Sequence, residues 1–311
     1  MSQAQELTTS KLKAWLALAR LPFHSVGVLP FVLGTVLAWR QRGTLRWDIL
    51  LWGVSGVALV MLATYYAGEY WDYEEDTLSG RAGGSRFAGG SQVLQKGLLP
   101  RRAPLWGSLV SALLALGVGL LLQFGYRTGP WTLPLGLLGL LGGFFYSTRP
   151  VRWVGRGWGE LWIAFCYGWL PVAVGCYLQI GTLIPLVHWL AAPIGLTIFN
   201  VILLNEFPDY AADSAAAKTN LTVRLGRERA AWLYALAALG SWLAMGLALL
   251  HGLPSAAAWA YLPVLAISLV LVALVLQGRW RSRVTLEGLC GANLLVNLGT
   301  TAACILAFVK G

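Results

Sequence analysis

Charge is scarce in this 311-residue chain. Only 12% of its residues are Asp, Glu, Lys or Arg, against about 25% in ordinary soluble domains. Histidine is scarcer still. His24, His188 and His251 lie far apart and none has a second histidine four residues away, which excludes the paired-histidine zinc helix. The four cysteines, Cys166, Cys176, Cys290 and Cys304, fall singly in apolar runs without metal-ligand spacing. They read as small, reduced core residues. No nucleophile has a base beside it in sequence, so triad hydrolysis lacks support. The glycine clusters Gly83-Gly84 and Gly89-Gly90 are followed by serine, not by Lys-Ser/Thr, and therefore form no Walker loop.

What is abundant points one way. Apolar residues make up 57% of the chain, with 37 Gly and 16 Trp, and mean hydropathy is +0.65. Membrane helices tolerate Gly and place Trp at the lipid boundary. The expected class is an all-α polytopic membrane protein, a single transmembrane unit over 1–311. A bilayer core of about 30 Å needs about 20 apolar residues per helix. Nine segments meet this: 17–39, 48–70, 104–125, 130–147, 159–180, 182–205, 229–250, 255–277 and 286–309. Pro22, Pro30, Pro171 and Pro193 inside them predict kinks around a central cavity. Residues 1–13 are polar and no cleavable signal peptide is expected. The net charge of +10 needs no nucleic-acid partner. With the N-terminus inside, 18 of the 23 Lys and Arg fall in cytoplasmic segments, as the positive-inside rule requires. Loops 69–103 and 206–228 would then both be cytoplasmic caps, and Gly89-Gly90-Ser91 could form a flexible cover or an anion nest.

Thirteen acids are present, and eight of them crowd into two short stretches. The spacing is identical in both: Glu69-x-x-Asp72-x-x-x-Asp76 and Glu206-x-x-Asp209-x-x-x-Asp213, offset by 137 residues. Positions i, i+3 and i+7 stack along one helical face, so each motif predicts a ladder of three carboxylates. Two readings stand here. The ladders could be polar ends of two helices. Alternatively they could hold a hard cation such as Mg²⁺, which accepts a few carboxylates and completes its shell with water and phosphate oxygens. Repetition with equal spacing, on one side of the membrane, favours the cation. Arg81, Arg86, Lys218 and Arg224 follow the ladders, and carboxylates with basic neighbours make a diphosphate site. Tyr65, Tyr66, Tyr146 and Tyr167 sit near the same helix ends. They read as core packing or as aromatic faces for a carbocation. A cation-coupled transporter is the reading from another class, but it would place its acids near the bilayer midplane.

With these motifs the chain resembles the UbiA superfamily of intramembrane prenyltransferases, over about 17–305. That family carries Asn-Asp-x-x-Asp-x-x-x-Asp and Asp-x-x-Asp-x-x-x-Asp; here they read Gly68-Glu69-Tyr70-Trp71-Asp72-x-x-x-Asp76 and Asn205-Glu206-Phe207-Pro208-Asp209-x-x-x-Asp213. Gly68 replaces an Asn, and Glu69 and Glu206 add one methylene of reach. Three further runs resemble the branch that prenylates 1,4-dihydroxy-2-naphthoate in menaquinone biosynthesis: Ser91–Pro100, the run from Tyr146-Ser147 through Gly157-Trp158-Gly159-Glu160 to Gly175-Cys176-Tyr177, and Lys218–Gly226. The resemblance implies Mg²⁺-dependent transfer of a polyprenyl group from its diphosphate to an aromatic acceptor, in the inner cell membrane and without an obligate protein partner. Other acceptors of the family are 4-hydroxybenzoate, homogentisate, a chlorin or a lipid. It also implies roles. Glu69, Asp72, Asp76, Asn205, Glu206, Asp209 and Asp213 would hold the metal, with Asp72 and Asp209 central to catalysis. Arg86, Lys96, Lys218 and Arg224 would bind diphosphate, and Tyr146 and Ser147 would line the cavity.

Overall fold

The computed structural model describes residues 3–310, with side chains from Lys11 onward; the outermost residues of the expected 1–311 unit lie outside it. Among the described residues there is no strand. The helices are α1 Gln3–Ala19, α2 Ser25–Arg42, α3 Trp47–Trp71, α4 Tyr73–Arg81, α5 Ala103–Leu120, α6 Thr132–Ser147, α7 Gly159–Ala164, α8 Leu170–Ile180, α9 Leu186–Ala215, α10 Leu221–Leu225, α11 Arg227–Leu250, α12 Ala256–Leu276 and α13 Arg283–Lys310. In lipid this is the expected solution, because a helix satisfies its own backbone hydrogen bonds.

Among the described residues, eight segments are long and apolar enough to cross a membrane, and α6 is a shorter apolar helix. The chain is an integral multi-pass membrane protein. Its outward surface agrees. Leu113, Leu114, Leu236, Leu243 and Val270 are exposed in mid-helix, while exposed Trp47, Trp106, Trp131, Trp158 and Trp259 stand in the first turn of a helix or just before it. An apolar flank edged with tryptophan is the surface that lipid requires.

The interior is close-packed where backbones touch. Gly34 of α2 lies against the Val172 carbonyl of α8, and Gly175 of α8 lies against the Phe31 carbonyl of α2; a Cβ at either would collide with backbone. Small residues that let helices approach this closely are a common membrane device. The prolines divide into two kinds. Pro30 and Pro193 are inside helices as expected, joined by Pro208 and Pro263. Pro171 is likewise inside the continuous helical span Gly159–Ile180, just after a π-helical turn over Phe165–Trp169, whereas Pro22 falls in a separate 3-10 turn, at a position where the missing N–H is harmless.

The two acidic stretches end up in different local structures. The second runs within one unbroken helix, because α9 continues ten residues past the expected 205 to Ala215. The first is broken. Helix α3 stops at Trp71, Asp72 takes non-helical angles (φ −92°, ψ 14°), and α4 restarts at Tyr73. The expectation of one continuous helical face is therefore corrected for Glu69, Asp72 and Asp76: the last rung stands on a second, short helix.

Candidate active site

The ends of α3 and α9 face each other across a cavity of about 220 Å³. Glu69, Asp72 and Asp76 line one wall; Asn205, Glu206, Asp209 and Asp213 line the other. All seven residues assigned to the metal thus share one space, together with Lys218, Tyr146 and Ser147.

Each acid has a defined setting. Glu69 is buried and accepts the Ser91 N–H (2.8 Å) and hydroxyl (2.7 Å). Gly89-Gly90-Ser91 is therefore a cover over a carboxylate of the protein itself. Gly89 (φ +73°) and Gly90 (φ +64°) are left-handed, and a Cβ on Gly90 would strike the Asp76 carboxylate; a larger residue there would be strained and would displace that acid. Asp72 accepts the Ser147 hydroxyl through Oδ2 (2.6 Å) and lies 3.7 Å from Arg152 through Oδ1. Glu75, one turn away, is ion-paired to Arg152 as well. Burial, reinforced by the neighbouring Asp72 and Glu69 charges, pushes the Asp76 carboxyl well above its usual range.

Across the cavity, Asp209 accepts the Ser79 hydroxyl. Asp213, 2% exposed, pairs with Lys218 at 3.2 Å and accepts the Asn220 amide at 2.7 Å. Glu206 accepts the Thr222 N–H at 3.2 Å, and the Leu221 N–H goes to buried Glu160 at 2.6 Å. Asn220 caps α10, accepting the Val223 N–H at 2.8 Å. Burial alone would lower the Lys218 ammonium, but Asp213, Asp72 and Asp209 outweigh it and raise the group above its ordinary value. Lys218 is charged, and it is set among carboxylates.

Three of the four cations expected at the diphosphate stand outside the cavity. Arg86 and Lys96 are exposed. Arg224 is exposed and held by carbonyls, donating to Thr219 (2.8 Å) and Arg156 (2.7 Å). In their place the fold brings two arginines that the motifs did not indicate. Arg20 lines the cavity, and Arg152 reaches Asp72. Both occupy left-handed backbone, at φ 48° and φ 49°, a conformation uncommon outside glycine and worth noting at a site. Of the tyrosines, Tyr65, Tyr146 and Tyr167 line the cavity, whereas Tyr66 packs edge-on against Trp15 at 5.4 Å.

A second space adjoins the first. An apolar groove of about 140 Å³ runs between α3, α5, α6 and α8, lined by Gly53, Val57, Met61, Gly136 and Leu170 among others. Thr64 and Tyr167 line both spaces. A compact carboxylate-and-cation chamber that opens into a greasy slot fits a substrate with a charged head and a long apolar tail.

The UbiA prenyltransferase family model matches residues 28–286. The chain belongs to the UbiA prenyltransferase family. It is accordingly a prenyltransferase. The 1,4-dihydroxy-2-naphthoate octaprenyltransferase of Escherichia coli (strain K12) is 27% identical over 263 residues, 83% of either chain. Among solved structures, a UbiA homolog from Aeropyrum pernix K1 matches with TM-score 0.70 at 17% identity, covering 91% of this chain and 97% of that one. A UbiA homolog from Archaeoglobus fulgidus, bound to GPP and Mg²⁺, matches with TM-score 0.66 at 15% identity, covering 94% and 99%. The all-helical membrane fold of this UbiA member is the one those structures share.

Whether the ladders suit a divalent cation can be judged from their own atoms. Among the described residues no three acids, histidines or cysteines come close enough to hold an ion unaided. However, Asp72 Oδ1 and Asn205 Oδ1 are buried without a hydrogen-bond donor, the former with only the Arg152 guanidinium 3.7 Å away. Buried acceptors without a donor are costly, at about 1–3 kcal/mol each, and an ion pair at that distance compensates only in part, so both favour a further positive partner. The donors are all hard oxygens, which match Mg²⁺ when phosphate oxygens and water supply the remaining ligands.

Proposed function

We propose that this enzyme transfers a polyprenyl group from polyprenyl diphosphate to an aromatic acceptor, 1,4-dihydroxy-2-naphthoate, in menaquinone biosynthesis, with Mg²⁺ as cofactor. The observation that carries this is the convergence of both acidic ladders, with two orphaned oxygens, on a chamber that continues into an apolar groove. The naphthoate octaprenyltransferase of E. coli supports the choice of acceptor, and the A. fulgidus homolog bound to GPP and Mg²⁺ supports the donor class and the ion.

Glu69, Asp72, Asp76, Asn205, Glu206, Asp209 and Asp213 would hold the metal, which when bound neutralises charge growing on the leaving diphosphate. The remaining work belongs to the chain. Lys218 and Arg20 face the same chamber and stabilise the departing diphosphate electrostatically. Arg86, Lys96 and Arg224, exposed and outside the chamber lining, would attract an anionic donor at longer range rather than touch it. The allylic cation left by C–O cleavage is met by the ring faces of Tyr65, Tyr146 and Tyr167. The apolar groove takes the tail and keeps water from the cation. The acceptor ring attacks that carbon, and in naphthoate prenylation it also loses its carboxylate.

The test is product mass spectrometry with purified enzyme, mixed prenyl diphosphates and parallel acceptors, naphthoate, 4-hydroxybenzoate and homogentisate. Prenylated naphthoate with released pyrophosphate is expected, lost on exhaustive chelation and restored by Mg²⁺. Turnover that survives chelation removes the metal from this reading; product on another acceptor alone moves the enzyme to another branch.

A further inference from the structure

A second polar pocket lies outside the active chamber and shares no lining residue with it. It measures about 180 Å³, far above the ~10–15 Å³ that a single water needs. Its wall carries Arg227, Arg281 and Arg283 against one carboxylate, Glu287, around the indole of Trp280.

The cations are held in place but incompletely neutralised. Arg227 is sandwiched by aromatic faces, 5.1 Å from the ring centres of both Tyr210 and Trp280. Arg281 stands 4.8 Å over Trp280 and pairs with Glu228 at the rim, at 2.5 Å. Arg283 donates to the carbonyls of Ala82 (3.2 Å), Gly83 and Gly84. Among the described residues, neither Arg227 nor Arg283 has a carboxylate within ion-pair distance. Trp280 is 3% exposed, and its Nε1 is buried with no acceptor. Donors therefore outnumber acceptors around this pocket, in charge and in hydrogen bonds alike.

Its position narrows the ligand. The pocket is walled by the start of α11, the turn before α13, the start of α13, the end of α4 and the last third of α9 at Phe207 and Pro208. All but the α9 wall are helix termini beside a tryptophan, the level at which a bilayer presents its head groups. Both α11 and α13 also turn their N-terminal, partially positive ends this way. We propose that the pocket binds a phosphate group, carried by an anionic phospholipid or free in solution. Arginine forks match phosphate oxygens in pairs. The bound group would also brace Arg283, which fastens the chain just after α4, the helix that carries Asp76.

The experiment uses native mass spectrometry of the full-length chain offered phosphatidylglycerol and phosphatidylcholine in equal amounts, and calorimetric titration with inorganic phosphate in neutral detergent. We expect preferential, saturable retention of phosphatidylglycerol, of phosphate, or of both, with the stronger of the two naming the source. Arg227→Gln with Arg281→Gln should weaken it about tenfold or more, the loss expected for charged hydrogen bonds. Arg229→Gln with Arg279→Gln removes equal charge from the same end, outside the pocket, and should leave affinity within about twofold, on the scale expected of exposed charges. Should the first pair fail to fold, Arg281→Glu alone, at an exposed side chain, gives the same reading. Binding without preference for either anion overturns the proposal, as does equal loss in both double variants. Phosphate held in the active chamber is recognised by its indifference to the Arg227 and Arg281 changes.

Discussion

Asp72 and Asp209 show how much of this site rests on single charges. Replacing either with Asn keeps the size and keeps an acceptor for Ser147 or Ser79. Folding should change little, while prenyl transfer should fall by about 10²–10³, the usual effect of losing one electrostatic contact to a developing charge. Activity assayed at matched membrane levels checks this; a helix end that merely needs a polar cap would tolerate Asn. Lys218 behaves differently because its partner is buried. Lys218→Met leaves Asp213 without its cation, at a cost of about 3–5 kcal/mol. The melting temperature should drop, and Asp213→Asn added to it should recover most of that loss without restoring turnover. The ladders were legible in the sequence because acids are rare here and the spacing repeats. Arg20, Arg152 and Ser79 were not. Their partners lie far along the chain, 130 residues in the case of Ser79 and Asp209, and no local pattern encodes such a meeting.

At the scale of elements, most apolar segments were readable to within a few residues, since hydropathy alone sets a lipid-spanning helix; the exceptions are 17–39, interrupted by the turn at Leu21–His24 before α2, and 182–205, which runs on to Ala215. The break at Asp72 was not, because the same spacing fits a continuous helix and a kinked pair. The polar loops also hid two helices, α4 and α10. What the sequence could not indicate at all is the groove between α3, α5, α6 and α8, which depends on how the helices lean together. A Cβ on Gly136 would meet nothing within 4 Å, so a large side chain there projects into open space. Gly136→Phe should shorten the longest prenyl chain transferred while short donors still turn over, read by product mass spectrometry across a donor series. Unchanged chain-length preference would put the tail elsewhere.

For the molecule as a whole, the meeting of α3 and α9 fixes a parity. Both end at one cavity, so the chain between them must cross the bilayer an odd number of times. Helices α5, α6 and the α7–α8 pair supply three crossings if α6 spans, and its 16 residues make about 24 Å of helix, short for a bilayer and sufficient with slight local thinning. Cysteines placed at exposed Arg86 and Ser214 should therefore label from the same side, the cytoplasmic one by charge bias, and a cysteine at Arg127 from the other. Opposite labelling of Arg86 and Ser214 would separate the two ladders. The 137-residue interval between the ladders also has a meaning in time. At synthesis rates of about 5–20 residues per second, the acids of α3 and α4 wait roughly 7–27 s before their counterparts emerge, and Lys218 emerges later still. During that interval Asp76 lacks the charge that will balance the chamber. Truncated chains ending before Lys218 should accordingly be degraded faster than equally long fragments in which Asp72 and Asp76 are Asn.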